Sequence, residues 1–103
     1  MNIKNVVILG STGSIGINTL KVIQQFPKRF KVIGLTAYNN FKLLEKQIQK
    51  FGPTYVAASD KGRDYLKSRI NTRKTRILNV VEDLEELVSL KQVDLIVIAM
   101  RGS

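Results

Sequence analysis

The chain has no cysteine and no histidine among its 103 residues. Without cysteine there is no disulfide framework, no thiolate zinc site and no thiol nucleophile. Without histidine it lacks the usual general base near neutral pH and the commonest metal ligand. Long hydrophobic runs are missing too. The apolar run near the start, Val6 to Leu9, is cut off by Gly10. It is too short for a membrane span or a secretory core. Nothing resembling a transit peptide stands before it, so a cytoplasmic location with no membrane partner is expected. Acids are scarce: eight Asp and Glu face seventeen Lys and Arg, for a formal charge of +9, and none lies between Pro27 and Leu44.

That positive excess has two readings: a nucleic-acid or membrane surface, or solvated helix faces that also attract a phosphorylated ligand. The basic residues are spread along the chain. They are densest from Arg63 to Arg76, where only Tyr65 is aromatic. That is a poor match to a single-strand-binding face, and nucleic acid is not the expected partner. With 44% hydrophobic and 24% charged residues, the composition fits a packed core rather than disorder. The length allows one domain at most.

The informative stretch is Val6-Val7-Ile8-Leu9-Gly10-Ser11-Thr12-Gly13-Ser14-Ile15-Gly16. Four apolar residues read as a strand buried on both faces. After the small-residue loop, Ile15, Thr19, Val22, Ile23 and Phe26 fall on one face of a helix. A strand therefore runs into a glycine-rich turn that opens a helix. Glycines let the backbone come close to a ligand, and the free N–H groups and positive end of the helix favour an anion, most simply a phosphate. The spacing is G-x-x-G-x-x-G. It is neither the commonest dinucleotide fingerprint nor a Walker loop, because no Lys-Ser or Lys-Thr follows Gly16. A tight turn without a ligand is the competing reading.

Further along, the pattern predicts a first helix from Ser14 to about Phe26, stopped by Pro27. A second strand runs from Phe30 to Leu35. Asn40 suits an N-cap for a second helix with Phe41, Leu44, Ile48 and Phe51 on one side. Gly52-Pro53 ends that helix. Tyr55 to Ala58 reads as a third strand, and Asp60 to about Ile70 as a helix. Arg76 to Val80 reads as a fourth strand. Glu82 to about Leu90 reads as a helix whose acidic first turn suits the dipole. Val93 to Ala99 reads as a buried fifth strand, with Asp94 as the residue that opens it. This unbroken alternation predicts an α/β fold: a doubly wound parallel sheet of the Rossmann-like, nucleotide-binding type. The chain stops soon after the fifth strand, at the end where such folds hold their ligand. It is therefore expected to be a truncated part of something larger.

An NAD-specific fold usually carries Asp or Glu at the end of the second strand. Here that position falls near Thr36 and Ala37, and no acid is nearby. That favours NADP, with Asn39, Asn40 and Lys42 as donors to its 2′-phosphate. Turn formation and helix capping also account for the two asparagines, and the two readings are compatible.

With these residues in view, the chain resembles the opening of the 1-deoxy-D-xylulose 5-phosphate reductoisomerase family. The likeness rests on the string from Val6 to Gly16, on Thr19 to Ile23, on Phe30 to Ala37, on Asn40, Gln47 and Phe51-Gly52-Pro53, and on Val93 to Ala99. It implies that residues 1–103 are a partial N-terminal NADPH-binding domain. The catalytic, metal-binding and C-terminal domains would lie outside this chain. It implies pyrophosphate binding at Thr12, Gly13, Ser14 and Ile15, and 2′-phosphate binding at Tyr38, Asn39 and Asn40. Many family members have Gly and then Lys or Arg where this chain has Tyr38 and Asn39. The loop thus loses a charge, and Asn40 is its best-matched residue. Ala99 to Ser103 resembles the stretch beneath the nicotinamide. The implied reaction is rearrangement of the sugar phosphate and hydride reduction to 2-C-methyl-D-erythritol 4-phosphate, in non-mevalonate isoprenoid synthesis. The implied metal is Mg²⁺ or Mn²⁺, with ligands outside the chain, and the implied assembly is a homodimer. No residue here is expected to be catalytic or to bind the metal. The acids Glu82, Asp83, Glu85 and Glu86 are read as serving the helix dipole. A free-standing nucleotide-binding or regulatory module is the alternative.

Overall fold

The computed structural model describes residues 2–100, and its elements follow the alternation predicted from the sequence. They are β1 (Lys4–Leu9), α1 (Ser14–Gln25), β2 (Phe30–Thr36), α2 (Phe41–Phe51), β3 (Tyr55–Ala58), α3 (Asp60–Lys67), β4 (Arg76–Asn79), α4 (Leu84–Val88) and β5 (Leu95–Ile98). All the strands join one parallel sheet in the order β4-β3-β2-β1-β5. The first four strands step outward from β1, and the chain then returns to place β5 on the other side of β1. Crossovers are right-handed, so this reversal requires α4 on the opposite face from α1, α2 and α3.

The core divides accordingly. On one face Leu20 and Ile23 of α1, Leu44 and Ile48 of α2 and Leu66 of α3 pack on Val6, Ile8, Val32, Leu35 and Val56. On the other face Leu87 of α4 packs on Val7, Leu9, Ile33, Ala57 and Leu78. The alternation of β2 breaks once. Val6 pairs with Val32 but Val7 pairs with Gly34, so Ile33 is an extra residue. As a result Val32 and Leu35 both reach the three-helix face. A glycine inside a strand pattern is the usual mark of such a bulge, and Gly34 is that mark.

The helix ends follow local chemistry. Asn40 caps α2, its Oδ1 accepting from the Leu43 N–H, and Gly52 closes the helix in the left-handed region at φ 58°. Asp94 opens the fifth strand as expected. Its Oδ2 accepts from the Asn5 N–H at 2.8 Å, and its own N–H donates to the Asn5 carbonyl at 2.9 Å. That contact lies at the end of β1 away from the glycine turn.

Four sequence expectations are corrected. The buried stripe of α1 is Gly16, Leu20 and Ile23. Ile15, Val22 and Phe26, expected to face inward, are exposed. The helix docks through Gly16 against the turn, which rotates its contact face by one residue. Two helices are also shorter than expected. The third ends at Lys67 rather than near Ile70. There the N–H groups of Arg69 and Ile70 both turn back to the Leu66 carbonyl. The fourth covers Leu84–Val88 rather than Glu82 to Leu90. A side-chain-closed turn uses the residues before it: Asn79 Oδ1 accepts from the Val81 and Glu82 N–H groups, and Asp83 Oδ2 accepts from the Asn79 N–H. Finally, β5 is not buried. It lies at the sheet edge against β1 alone, with Leu95, Ile96 and Ile98 exposed. An all-apolar strand calls for cover on both faces, and the described residues supply little of it.

Candidate functional site

The site is built at the carboxyl end of β1. Gly10 has φ +85°, a conformation side chains rarely adopt, and it turns the chain off the strand. Its N–H is shared between the Thr36 carbonyl at 3.1 Å and the Thr36 hydroxyl at 3.0 Å. The Ser11 N–H donates to the same carbonyl at 2.9 Å. Gly16 then brings α1 down onto the turn. A Cβ there would lie 2.3 Å from the Gly10 oxygen. These two glycines are therefore required by the fold itself.

Gly13 is different. Its backbone is extended, at φ −79° and ψ 171°. An added Cβ would meet nothing nearer than the Gly10 oxygen at 3.8 Å and the Ala99 oxygen at 3.9 Å. Packing does not demand a glycine here. The missing side chain instead leaves open a hollow of about 290 Å³ lined by Gly10, Gly13, Ser14, Ile15, Ala99 and Met100. This hollow lies where the turn after β1 meets the end of β5. Those are the two strands between which the chain's direction across the sheet reverses, and open α/β sheets bind their ligands at that switch point.

Electrostatics point the same way. Gly13 is the N-cap of α1 and supplies no side-chain hydrogen bond. Among the described residues, the N–H groups of Thr12, Ser14, Ile15 and Gly16 make no hydrogen bond within the protein. They are the orphan donors of a helix start, and the first turn of α1 contains no acid to answer them. Among the described residues the hollow has no titratable side chain in its lining. It is therefore suited to binding an anion rather than to acid–base chemistry.

The structure brings Gly13, Ser14 and Ile15 together around the hollow, with Thr12 half-buried beside them. Tyr38, Asn39 and Asn40 do not line it. They form the exposed loop between β2 and α2, at the same end of the sheet. The Tyr38 carbonyl accepts from the Ser59 N–H at 3.4 Å, which ties this loop to the start of α3. Of the stretch Ala99 to Ser103, Ala99 and Met100 do lie at the hollow, and 101–103 fall outside the described residues. Sequence reasoning missed the buried support behind the turn, namely Ser11, Thr36 and Gln47. In the sequence Gln47 figures only as part of the family resemblance, without a role; a polar residue on the apolar face of α2 is the signal that it has one.

A larger hollow of about 380 Å³ lies between α1, β2 and α2, lined by apolar residues such as Ile23, Phe30 and Phe51 with Lys31 and Lys50. No helix start or glycine turn opens into it. Among the described residues no three His, Cys, Asp or Glu side chains gather in a metal-binding group. No helix among them is long and apolar enough to cross a membrane.

A parallel sheet wound on both faces, with a glycine turn and an open helix start at its switch point, is the architecture of nucleotide-binding domains. Comparison with known proteins narrows this. The family model described as 1-deoxy-D-xylulose 5-phosphate reductoisomerase matches residues 6–103. A reductoisomerase of that name from Thermodesulfovibrio yellowstonii is 46% identical over 101 residues, covering 97% of this chain and 26% of the relative. One from Thermoanaerobacter sp. is 45% identical over 100 residues, covering 96% and 26%. A crystal structure of DOX-P reductoisomerase in complex with NADPH, fosmidomycin and magnesium superposes with a TM-score of 0.90 at 32% identity. It covers 97% of this chain and 25% of that one. The chain belongs to the 1-deoxy-D-xylulose 5-phosphate reductoisomerase family, and it spans about a quarter of the length of the relatives it matches.

Proposed function

We propose that this chain is the NADPH-binding portion of a reductoisomerase. The whole enzyme rearranges 1-deoxy-D-xylulose 5-phosphate and reduces the product to 2-C-methyl-D-erythritol 4-phosphate, a step of non-mevalonate isoprenoid synthesis. The observation that carries the reading is the hollow at the switch point, held open by a glycine that packing does not require. That gap and the unanswered N–H groups around it fit a pyrophosphate. Thr12, Gly13, Ser14 and Ile15 would hold it through backbone donors and the α1 dipole. Tyr38, Asn39 and Asn40 would take the adenosine end with its 2′-phosphate. The bound nicotinamide would supply the hydride.

What the chain itself does is bind and orient. Thr36 fixes the turn by accepting from Gly10 and Ser11, and Ser14 and Ile15, whose N–H groups are free, line the hollow. For Mg²⁺ or Mn²⁺ the described residues offer no comparable fit, and a metal in the whole enzyme would draw its ligands from elsewhere. A domain of residues 1–103 within a longer cytoplasmic homodimer belongs to the same proposal. Titration of the chain with NADPH and with NADH, by calorimetry on protein shown by circular dichroism to be folded, tests it. Tighter binding of NADPH supports the assignment. A folded chain that binds neither dinucleotide refutes it for this segment.

A further inference from the structure

We propose that Gln47 is a positioning residue for the glycine turn and sets the presentation of its N–H groups to the cofactor. The idea rests on the reading of that turn as a pyrophosphate site. Gln47 lies on α2 and is only 7% exposed. Its side chain meets Ser11 twice across 36 positions of sequence. Oε1 accepts from the Ser11 hydroxyl at 2.8 Å, and Nε2 donates to the Ser11 carbonyl at 2.9 Å. With the Ser11 N–H bound to Thr36, every backbone and side-chain polar group of this fully buried serine is fixed. Ser11 immediately precedes Thr12. Its carbonyl and N–H therefore set the peptide planes from which the free donors of Thr12, Ser14, Ile15 and Gly16 follow.

Docking of α2 does not depend on this pair. Leu44 and Ile48 bury in the core on either side of it, and the Glu45 carboxylate accepts from the Tyr65 hydroxyl at 2.8 Å. Gln47 is thus a polar residue on an apolar face whose hydrogen bonds all go to the turn. The helix that carries it begins at Asn40, in the loop assigned to the 2′-phosphate. Asn40 and Gln47 are seven residues apart, two helical turns or roughly 10 Å. The two ends of the site therefore rest on separate parts of α2, and a change at Gln47 reaches the turn without reaching Asn40.

The chemistry requires an amide. Leucine is close in size but leaves the Ser11 carbonyl unpaired in a buried place and the Ser11 hydroxyl with only its longer bond to the Thr36 carbonyl, at 3.4 Å. Glutamate in its ionised form has no donor and sets a charge against that carbonyl. In its protonated form it restores one donor and one acceptor.

Three measurements on Gln47→Leu and Gln47→Glu test the proposal. The first is amide hydrogen exchange without ligand. Faster exchange in Gln47→Leu at Ser11, Gly13 and Ile17, with Gly52 at the end of α2 unchanged, supports a role at the turn. No change at the turn, or equal loosening along α2, overturns it. The second is affinity for NADPH and for adenosine 2′-monophosphate, a probe without the pyrophosphate. Gln47→Leu should bind NADPH about tenfold more weakly, the scale of one or two lost neutral hydrogen bonds, and bind the monophosphate as the parent does. Equal loss for both probes overturns the proposal. The third is the pH profile of Gln47→Glu. Its NADPH affinity relative to the parent should recover as pH falls through the glutamate's titration, and a flat ratio overturns it. A parent chain that binds no NADPH would refute the proposed function, leaving the exchange measurement to decide the role of Gln47.

Discussion

Alanine at Gly16 and alanine at Gly13 should separate what the turn does for folding from what it does for binding. At Gly16 the new Cβ would lie 2.3 Å from the Gly10 oxygen, 2.6 Å from the Ser11 Cα and 2.7 Å from the Ser11 carbonyl carbon. The first of these falls short of the 3.4 Å at which ordinary contact begins by about 1 Å. All three neighbours are backbone, so α1 and the turn must move apart. Overpacking of this kind costs about 1–3 kcal/mol, and a helix prefers alanine to glycine by up to about 1 kcal/mol. Against backbone that cannot yield, the upper end of that cost applies, and the resulting net loss of about 2 kcal/mol lowers the melting temperature of a domain this size by roughly 10 °C.

At Gly13 the backbone is already open to any residue, and the Cβ would make ordinary contacts only. Stability should change by no more than about 1 kcal/mol, the scale of N-cap substitutions. The methyl group would, however, stand in the hollow. If it displaces the pyrophosphate from one charge-assisted hydrogen bond, worth about 1.5–3 kcal/mol, NADPH binds roughly 10- to 100-fold more weakly. Thermal unfolding by circular dichroism and NADPH titration on the same samples read both effects. A Gly13→Ala chain with parental affinity would refute the idea that this position is bare for a ligand. A Gly16→Ala chain that melts with the parent would refute the packing argument.

Leu66 is fully buried between α3 and the sheet. Leu66→Ala should cost about 2–5 kcal/mol, and a denaturant midpoint unchanged from the parent would sink that expectation. Tyr65 donates to Glu45, which, with some burial, raises its phenol pKa above the usual 10.0 against a smaller opposing effect of Arg69. The neutral phenol is the favoured form in the folded state. The bond therefore stabilises the fold below pH 10 and is lost as pH rises through the raised value. Melting temperatures followed from about pH 9 to 11 should fall more steeply for the parent than for Tyr65→Phe, and parallel curves would contradict the assignment. Ile98 is 70% exposed on the open edge strand. Charge on an edge blocks strand-to-strand pairing, so Ile98→Lys should reduce concentration-dependent self-association in sedimentation. An undiminished oligomer would place the contact elsewhere.

Element order and sheet type were legible because each signal was local. Asn40 caps and Gly52 terminates α2 by chemistry contained within a few residues, and Tyr55–Ala58 is bounded by Pro53 and Ser59. The corrections come from longer-range facts. Which side of α1 faces inward depends on Gly16 meeting Gly10 and Ser11, and helical periodicity weighs Ile15 and Val22 without knowing that contact. The length of α4 was set by Asn79 and Asp83 closing a turn, a choice that competes with helix formation. Apolar content predicted cover for β5 but could not say which residues provide it. At the site, the glycine spacing indicated the turn, while the difference between Gly13 and the other two glycines, Gly10 and Gly16, depends on contacts made in three dimensions. The role of Gln47 needed a partner 36 residues away.

The distribution of acids supports the site in a way that no single residue does. The first acid in the chain is Glu45, whereas six Lys and Arg precede it. The glycine turn, α1, β2 and the start of α2 thus form an acid-free stretch. Acids in a first helical turn stabilise the helix by answering its dipole. The chain uses that device at α3, with Asp60, and at α4, with Glu85 and Glu86, but at neither α1 nor α2. The two helices without it are those whose starts lie at the proposed pyrophosphate and 2′-phosphate positions. An acid at either start would stabilise the free protein and repel the ligand. Leaving both starts unanswered costs some helix stability, up to about 1 kcal/mol each, which a bound anion would restore. This also bears on the charge missing at Asn39. A phosphate at this loop would meet the side-chain donors of Asn39 and Asn40 and the start of α2, with no acid in the stretch itself; Asp60 stands next to Ser59, whose N–H donates to the Tyr38 carbonyl. In the proposed reading, recognition of the 2′-phosphate would rest on the donors of the loop and the start of α2, Asn40 among them, rather than on one paired cation.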